Sequence, residues 1–184
     1  MEFYEVLKKR QSIRGYKTDP IPPEVLNRVL EAFRAAPSWA NTQPWELVVV
    51  TDTAIREQLQ TTLSKNNPAS AAVMDAAVLV CAIGIEGVSG FFRGTPVTGR
   101  GDWMMFDLGI ATEHLVLAAA AEGLGTVHVG AFDHQKADEI MNLPENRTVV
   151  ELIPLGYPSY SPRTAPRKPL ADFLFKNRYG QKEE

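Results

Sequence analysis

Residues 102–122 are apolar on almost every face of a helix, and no other segment constrains the fold of this chain as strongly. A surface helix has one apolar stripe, whereas a helix that is apolar all round is normally buried on every side. The chain has 184 residues, and at roughly 100–200 residues per domain this length corresponds to one domain. Because one such domain offers little protein to surround the helix, we predict that a partner covers part of it.

The remaining pattern predicts an α+β domain. Helical spacing and capping residues predict helices at residues 1–9, from Pro23 to Pro37, at residues 52–64 and after Asp133. Runs of apolar and β-branched residues predict strands at residues 46–51, 76–85, 126–129 and 149–155.

Two segments differ in composition from these elements. Residues 84–101 are rich in glycine yet contain Phe91, Phe92 and Arg93, which predicts a mobile loop or a lid. Residues 157–184 begin with a run rich in proline, which predicts an extended arm that must lie on another surface.

Composition argues against several classes of protein. Lys and Arg total 19 against 22 for Asp and Glu, and the net charge of −3 is too acidic for a nucleic-acid-binding protein. The single cysteine, Cys81, excludes an internal disulfide and a cysteine-based zinc site, and its apolar neighbours predict a buried thiol. No apolar stretch reaches the ~20 residues of a membrane span, and residues 1–9 do not resemble a signal peptide. We therefore expect a cytoplasmic protein without a membrane partner.

The sequence lacks the common nucleotide, nucleophile and metal motifs. No Gly-x-Gly-x-x-Gly follows a predicted strand, and Gly-x-x-x-x-Gly-Lys, Gly-x-Ser-x-Gly and His-Glu-x-x-His are absent. His114, His128 and His134 belong to different predicted elements, so we expect no metal site.

Two polar segments have more than one interpretation. In residues 10–14, Arg-Gln-Ser-Ile-Arg, two guanidinium groups flank a hydroxyl and can bind a phosphate; the alternative is a solvated helix end. In residues 36–45, two tryptophans and two amides precede a predicted strand and suit a planar heteroaromatic ligand. The alternative there is a loop held by hydrogen bonds of Asn41 and Gln43.

These two segments and three later ones, in this order, resemble the FMN-dependent nitroreductase family. The matching stretches are Arg10-x-Ser12-x-Arg14, Ala36-Pro37-Ser38-x-x-Asn41-x-Gln43-Pro44-Trp45, Gly123-Leu124-Gly125-Thr126 with Val129-Gly130-Ala131-Phe132, Ile153-Pro154-Leu155-Gly156-Tyr157-Pro158, and Arg167-Lys168-Pro169-Leu170. The resemblance implies a single nitroreductase-like domain over residues 1–184, with a central, mostly antiparallel sheet flanked by helices. It also implies an intertwined homodimer in which the arm at residues 157–184 docks on the partner subunit.

By this resemblance, FMN binds noncovalently between the subunits. Arg10, Gln11 and Ser12 are expected on the phosphate and ribityl side of FMN. Arg14 is expected at the N1/O2 edge of the flavin, where a cation stabilises the charge left by reduction.

The resemblance also assigns roles to residues far along the chain. Ser38, Trp39 and Asn41 are expected to come from the partner subunit, and Asn67 to reach the pyrimidine edge. The strand end His128-Val129-Gly130-Ala131 is expected beside flavin N5, with the Gly130 N–H as the donor. Arg167 and Lys168 are expected to close the phosphate site.

Three departures from the family pattern accompany these matches. Trp39 stands where the family often has a small residue. The segment between Gly84 and Asp102 is too short for the long helical lid of larger members, and no general acid is evident.

The implied activity is an FMN-dependent oxidoreductase that takes hydride from NAD(P)H onto flavin N5. It then reduces a small-molecule acceptor, such as a nitroaromatic or a quinone, by a ping-pong mechanism. The alternatives are reductive dehalogenation or flavin breakdown, as in related branches, and a non-catalytic flavin store or redox sensor. A phosphate-binding structural module is a further, unrelated alternative.

Overall fold

The centre of the fold is a four-stranded antiparallel sheet, seen in a computed structural model that describes residues 2–182. The strands are β1 (Trp45–Val50), β2 (Val78–Ile85), β3 (Phe91–Phe92), β4 (Thr95–Pro96), β5 (Gly125–Thr126) and β6 (Arg147–Gly156). The helices are α1 (Phe3–Lys9), α2 (Pro23–Arg34), α3 (Thr53–Gln60), α4 (Ser70–Asp75), α5 (Met104–Ala121) and α6 (His134–Ile140). The central sheet has the order β1-β2-β6-β5, and β3 and β4 form a separate hairpin. This architecture confirms the expected α+β fold with a mostly antiparallel sheet.

The two faces of the sheet are covered by different helices. Along β2, Val80 faces α2 and α5, whereas Leu79 and Cys81 face α3, α4 and α6. Every residue of β2 except Ile85 is buried, as expected of a strand with helices on both faces. The sole cysteine is fully buried, and burial raises the pKa of its thiol to about 12.

Helix α5 is the main helix of one layer. Nine of its 18 residues are buried, and it packs against α2 and the sheet. Its length and apolar composition would suffice to cross a membrane, but half of that stretch is buried inside the fold. Met105 and Phe106 remain 61% and 60% exposed in the single chain, so this chain alone does not bury all sides of α5.

Several elements differ from their predicted extents. The helix predicted at residues 52–64 ends at Gln60, where the Thr61 and Thr62 hydroxyls donate to carbonyls of the last turn. Helix α4 was not predicted. The strand predicted at residues 126–129 is reduced to the two residues of β5 and a single bridge between Val129 and Leu152. The glycine-rich segment holds the β3–β4 hairpin.

The segment after α1 is placed by contacts with β5 and with the start of the arm. Ile13 N donates to Thr126 O at 2.8 Å, and Ile13 packs directly on Gly125, where an added Cβ would lie 2.6 Å from Ile13 Cγ1. On the other side, Lys17 N donates to Tyr157 O and Ser159 N donates to Gly15 O. The chain after α1 is therefore held between β5 and the arm.

Candidate active site

A cationic cleft of about 500 Å³ lies between the end of α1 and the arm. Among the residues that the structure describes, its lining includes no acidic residue and five cationic ones: Lys8, Arg10, Arg14, Arg163 and Arg167. Lys8 is paired with Glu5 at 2.9 Å. Within residues 2–182, the guanidinium groups of Arg10, Arg14 and Arg163 make no hydrogen bond or ion pair. An excess of unpaired guanidinium groups in a concave site suits a phosphate.

Backbone alternation directs the functional side chains into this cleft. Ile13 is 4% exposed and faces β5, so its neighbours Ser12 and Arg14 face the opposite way, toward the cleft. Gln11 also lines the cleft, and its Nε2 donates to Thr164 Oγ1 at 3.1 Å, which links the α1 side to the arm.

A second cleft of about 370 Å³ adjoins the first through Arg14, which lines both. Its other walls are two loops, residues 64–69 and 127–131, and they include the predicted residues Asn67, His128, Val129, Gly130 and Ala131. A third opening of about 610 Å³ beside the start of the arm shares Arg10, Gln11 and Pro162 with the cationic cleft and contains none of Ser12, Arg14 and Arg167. Lys168 lines neither of the two adjoining clefts.

Gly130 presents a backbone donor in the second cleft. Val129 N and O both pair with Leu152, at 3.0 and 2.9 Å, which fixes the strand end immediately before it. The Gly130 N–H has no hydrogen-bond partner in the described part of the chain, while the His134 ring lies 3.2 Å from its carbonyl oxygen. A fixed, unpaired N–H of this kind can stabilise negative charge on a bound group.

Asn67 has a structural role in the second cleft. Its Nδ2 donates to Ala131 O at 3.0 Å, and its Oδ1 accepts from Ala69 N at 2.9 Å. The Nδ2 contact therefore joins the two cleft walls, and the Oδ1 contact fixes the loop at residues 64–69. The contact with a pyrimidine edge stays a prediction.

His128 belongs to a charged cluster that the sequence did not reveal. The carboxylates of Glu113 on α5 and Glu151 on β6 raise its pKa to about 9, opposed by partial burial. Glu151 Oε2 makes the shorter contact with the ring, 2.6 Å from Nδ1, against 3.6 Å between Glu113 Oε2 and Nε2. The three residues lie on separate elements, so no local motif marks them.

The loop at residues 38–43 lines neither cleft of its own chain. Ser38 Oγ accepts from Gln43 N at 2.8 Å, so Gln43 supports the loop through its backbone. Trp39 N donates to both side-chain oxygens of Asp107 on α5, at 3.1 Å each. Asp107 is 2% exposed, and an acidic residue within the apolar segment was the sequence signal that could have identified it.

The fold and these clefts define an α+β protein with a cationic cleft and a second cleft that share one lining arginine, Arg14. A model of the Nitroreductase family matches residues 7–157. An NADH dehydrogenase of Thermus thermophilus is 31% identical over 183 residues, covering 88% of this chain and 89% of that protein. The chain belongs to the nitroreductase family, which confirms the resemblance seen in the sequence.

Two solved structures give the fold comparison. A nitroreductase family protein from Clostridium novyi NT has a TM-score of 0.77 at 31% identity, covering 98% of this chain and 97% of that one. An oxidised iodotyrosine deiodinase, bound to FMN and 3-iodo-L-tyrosine, has a TM-score of 0.78 at 20% identity, covering 98% of this chain and 100% of that one. The fold is therefore shared along almost the whole length of each chain.

Proposed function

We propose that this protein binds FMN and is an FMN-dependent oxidoreductase that uses NAD(P)H. The observation that carries the proposal is that Arg14 lines both the cationic cleft and the second cleft. A phosphate suits the cationic cleft, which forms the phosphate end of the proposed site. A flat ring suits the second cleft with its Gly130 backbone donor, which forms the ring end. Family membership and the FMN in the deiodinase structure support the same cofactor.

The phosphate end is assigned to residues around the cationic cleft. Arg10, Ser12 and Arg167 would hold the phosphate, since a dianion is bound best by charge-assisted hydrogen bonds from several directions. Gln11 would contribute on the ribityl side. Lys168 follows Arg167 in the arm and would add charge to the same end, an assignment that rests on the resemblance.

The ring end is assigned to Arg14 and to the strand end at residues 128–131. FMN would supply the redox chemistry by accepting a hydride from NAD(P)H and returning two electrons to an acceptor. The Arg14 guanidinium would stabilise negative charge at the N1/O2 edge, and the Gly130 N–H would donate at N5. His128, Val129 and Ala131 would form the wall beside it.

The site would be completed by a second copy of the chain. Ser38, Trp39 and Asn41 line neither cleft of their own chain, and we assign them to the flavin site of the partner subunit. Such a homodimer would also cover the exposed residues of α5 and the arm. The bulk of Trp39 would narrow the space in which NAD(P)H and a nitroaromatic or quinone acceptor alternate.

Absorbance of the purified protein tests this function. We expect a flavin spectrum that bleaches when NADH or NADPH is added without oxygen and returns with a nitroaromatic or quinone. Steady-state kinetics should be ping-pong, since both substrates need the same face of the ring. Halogenated phenols in the same screen test for dehalogenation. A yellow protein that never bleaches would indicate a flavin store, and a protein that takes up no FMN would overturn the proposal.

A further inference from the structure

Asp107 is a buried acidic residue that joins two otherwise separate segments. Its side-chain oxygens accept from Trp39 N at 3.1 Å each, and its Oδ2 accepts from Ser89 Oγ at 2.5 Å. It is 2% exposed and pairs with no cation among residues 2–182. Placing an acidic side chain in the apolar α5 costs stability unless donors satisfy it, and here one donor comes from each segment.

The loop at residues 38–43 needs external support. Ala40, Asn41 and Gln43 have positive φ angles of 47°, 56° and 48°, a conformation that residues with a Cβ rarely adopt. Such a conformation persists only where the surroundings fix it. Hydrogen bonds within the loop fix its turn, and the Trp39–Asp107 contact fixes the turn to α5.

Ser89 brings the β3–β4 hairpin onto the same carboxyl group. Ser89 is fully buried, its carbonyl accepts from Trp103 N at 3.1 Å, and the neighbouring Gly90 carbonyl accepts from Val97 N at 2.9 Å. The base of the hairpin and the loop at residues 38–43 are therefore held to one point on α5.

We propose that Asp107 is a positioning residue that fixes the loop at residues 38–43 for the flavin site of the partner subunit. The inference rests on the proposed function, in which Ser38, Trp39 and Asn41 act across the dimer. Asp107 would not touch the flavin. It would set the position of the loop that does, and through Ser89 it would set the hairpin beside that loop.

Asp107→Asn is the first test because it keeps the size of the side chain. The amide removes the charge and replaces one of the two accepting oxygens with an NH2 donor, and both oxygens lie 3.1 Å from Trp39 N, so the hold on the loop is weakened. We expect FMN to bind roughly tenfold to a hundredfold more weakly. Ser89→Ala keeps the Trp39 contacts and should weaken binding less. It also serves as the second variant if Asp107→Asn does not fold.

Asp102→Asn is the matched control. Asp102 lies at the start of the same helix and accepts from Gly87 N at 2.7 Å and Met104 N at 2.8 Å, but it does not contact the loop. It should reduce thermal stability while leaving the FMN dissociation constant at the parental value. If Asp102→Asn weakens FMN as much as Asp107→Asn, a general loss of stability explains both, and the positioning role is wrong.

A mixed dimer tests action across the interface. One differently tagged subunit carries Arg10→Ala and the other carries Asp107→Asn, and the mixed dimer is isolated by successive affinity steps. If Asp107 serves the partner's site, the site built on the Arg10→Ala subunit receives its loop from the Asp107→Asn subunit and carries both defects. The other site has the parental Arg10 and a loop supported by the parental Asp107. An FMN fluorescence titration should then show half the sites at parental affinity, which neither variant homodimer shows.

The two possible failures differ in this experiment. A parental protein that binds no FMN would overturn the proposed function itself. A parental protein that binds FMN, with a mixed dimer lacking any site of parental affinity, would show that Asp107 acts within its own subunit. The inference would then be wrong and the proposed function would stand.

Discussion

Arg14 lines both the cationic cleft and the second cleft, so in the proposed site its charge would affect both FMN binding and reduction. A contact that is stronger to the reduced, anionic flavin than to the oxidised, neutral one favours reduction. Arg14→Gln keeps a donor and removes the charge, so the two-electron potential should fall, with about 30 mV corresponding to ~1.4 kcal/mol. A spectroelectrochemical titration of variant and parent in one buffer measures the change.

Arg10→Ala is the contrasting variant for this measurement. Arg10→Ala should weaken FMN binding roughly tenfold to a hundredfold, because a charge-assisted phosphate contact is lost. The potential should change less than in Arg14→Gln. If instead Arg14→Gln leaves the potential unmoved and greatly weakens oxidised FMN, Arg14 is a second phosphate ligand.

His128 gives stability a pH dependence with a definite sign. Its folded pKa of about 9, raised by Glu113 and Glu151, lies above the value of roughly 6.5 expected in the unfolded chain. The stabilisation from this cluster is therefore complete below pH ~6.5 and is lost as the pH rises through about 9. Urea unfolding from pH 6 to 10 should show this loss.

His128→Gln provides the comparison for that experiment. Glutamine keeps a donor but does not titrate, so the fall in stability across this pH window should be smaller in the variant. Because the His128 side chain is 37% exposed, solvent screening limits the size of the effect. If the free energy of unfolding falls equally with pH in parent and variant, His128 is not the source of this pH dependence.

The candidate site was predictable where its residues are close in sequence. Arg10, Ser12 and Arg14 form one short motif, and the alternation of side chains along the extended backbone after α1 explains why they share a cleft. Asp107 is different, because its partners Trp39 and Ser89 are 68 and 18 residues away and only the fold brings them together. Arg163 was not predicted either, since a lone arginine in a proline-rich arm has no local signature.

At the scale of elements, Arg56 joins α3 to the ends of β1 and α4. It is 7% exposed, and its guanidinium donates to the carbonyl oxygens of Val50, Met74, Ala76 and Ala77. Burial lowers the pKa of the guanidinium. Nothing in the sequence distinguished it from a solvated arginine on an amphipathic helix.

Arg56→Met should destabilise the protein by ~2–4 kcal/mol, because buried carbonyl groups lose their donor. Arg34→Met is the control, since Arg34 is exposed and pairs only with Glu31 one turn away, a contact worth ~0.5 kcal/mol or less. Urea unfolding at fixed protein concentration measures both. Equal losses for the two variants would mean that the carbonyl contacts of Arg56 contribute nothing.

The long elements and the short helices α1, α3 and α6 were predictable, whereas the β3–β4 hairpin and α4 were not. Helices α2 and α5 and strands β1, β2 and β6 lie where periodicity and β-branched runs placed them. The β3–β4 hairpin has two residues per strand, and α4 has six residues, too few to show a hydrophobic repeat. Tertiary contacts stabilise such pieces, and a local pattern does not contain those contacts.

At the scale of the whole molecule, a single chain leaves large apolar side chains exposed on α1, on α5 and along the arm. They include Phe3, Tyr4, Leu7, Met105, Phe106, Leu170, Phe173, Leu174 and Tyr179, each at least 43% exposed. Exposed apolar side chains of this size and number are typical of an interface. This exposure agrees with the prediction that a partner covers part of the apolar helix.

We expect an obligate homodimer, with an interface of more than ~2,000 Å² buried in total, as permanent complexes have. Sedimentation over a dilution series should show a dimer down to nanomolar protein. Phe173→Asp should shift the monomer–dimer equilibrium toward the monomer, because the dimer would bury the aspartate charge in its interface. Glu145→Asp, on an exposed turn before β6, should leave this equilibrium unchanged. A folded monomer with bound FMN at micromolar concentration would contradict the expectation.

The position of Cys81 makes the protein a natural background for site-directed labelling. Its thiol is fully buried, and a pKa of about 12 leaves almost no thiolate at neutral pH to react with maleimide or methanethiosulfonate reagents. A cysteine introduced at an exposed site such as Arg93, at the tip of the hairpin, would therefore be the only reactive thiol in each subunit. Paired spin labels could then measure distances across the dimer without any prior removal of native cysteines.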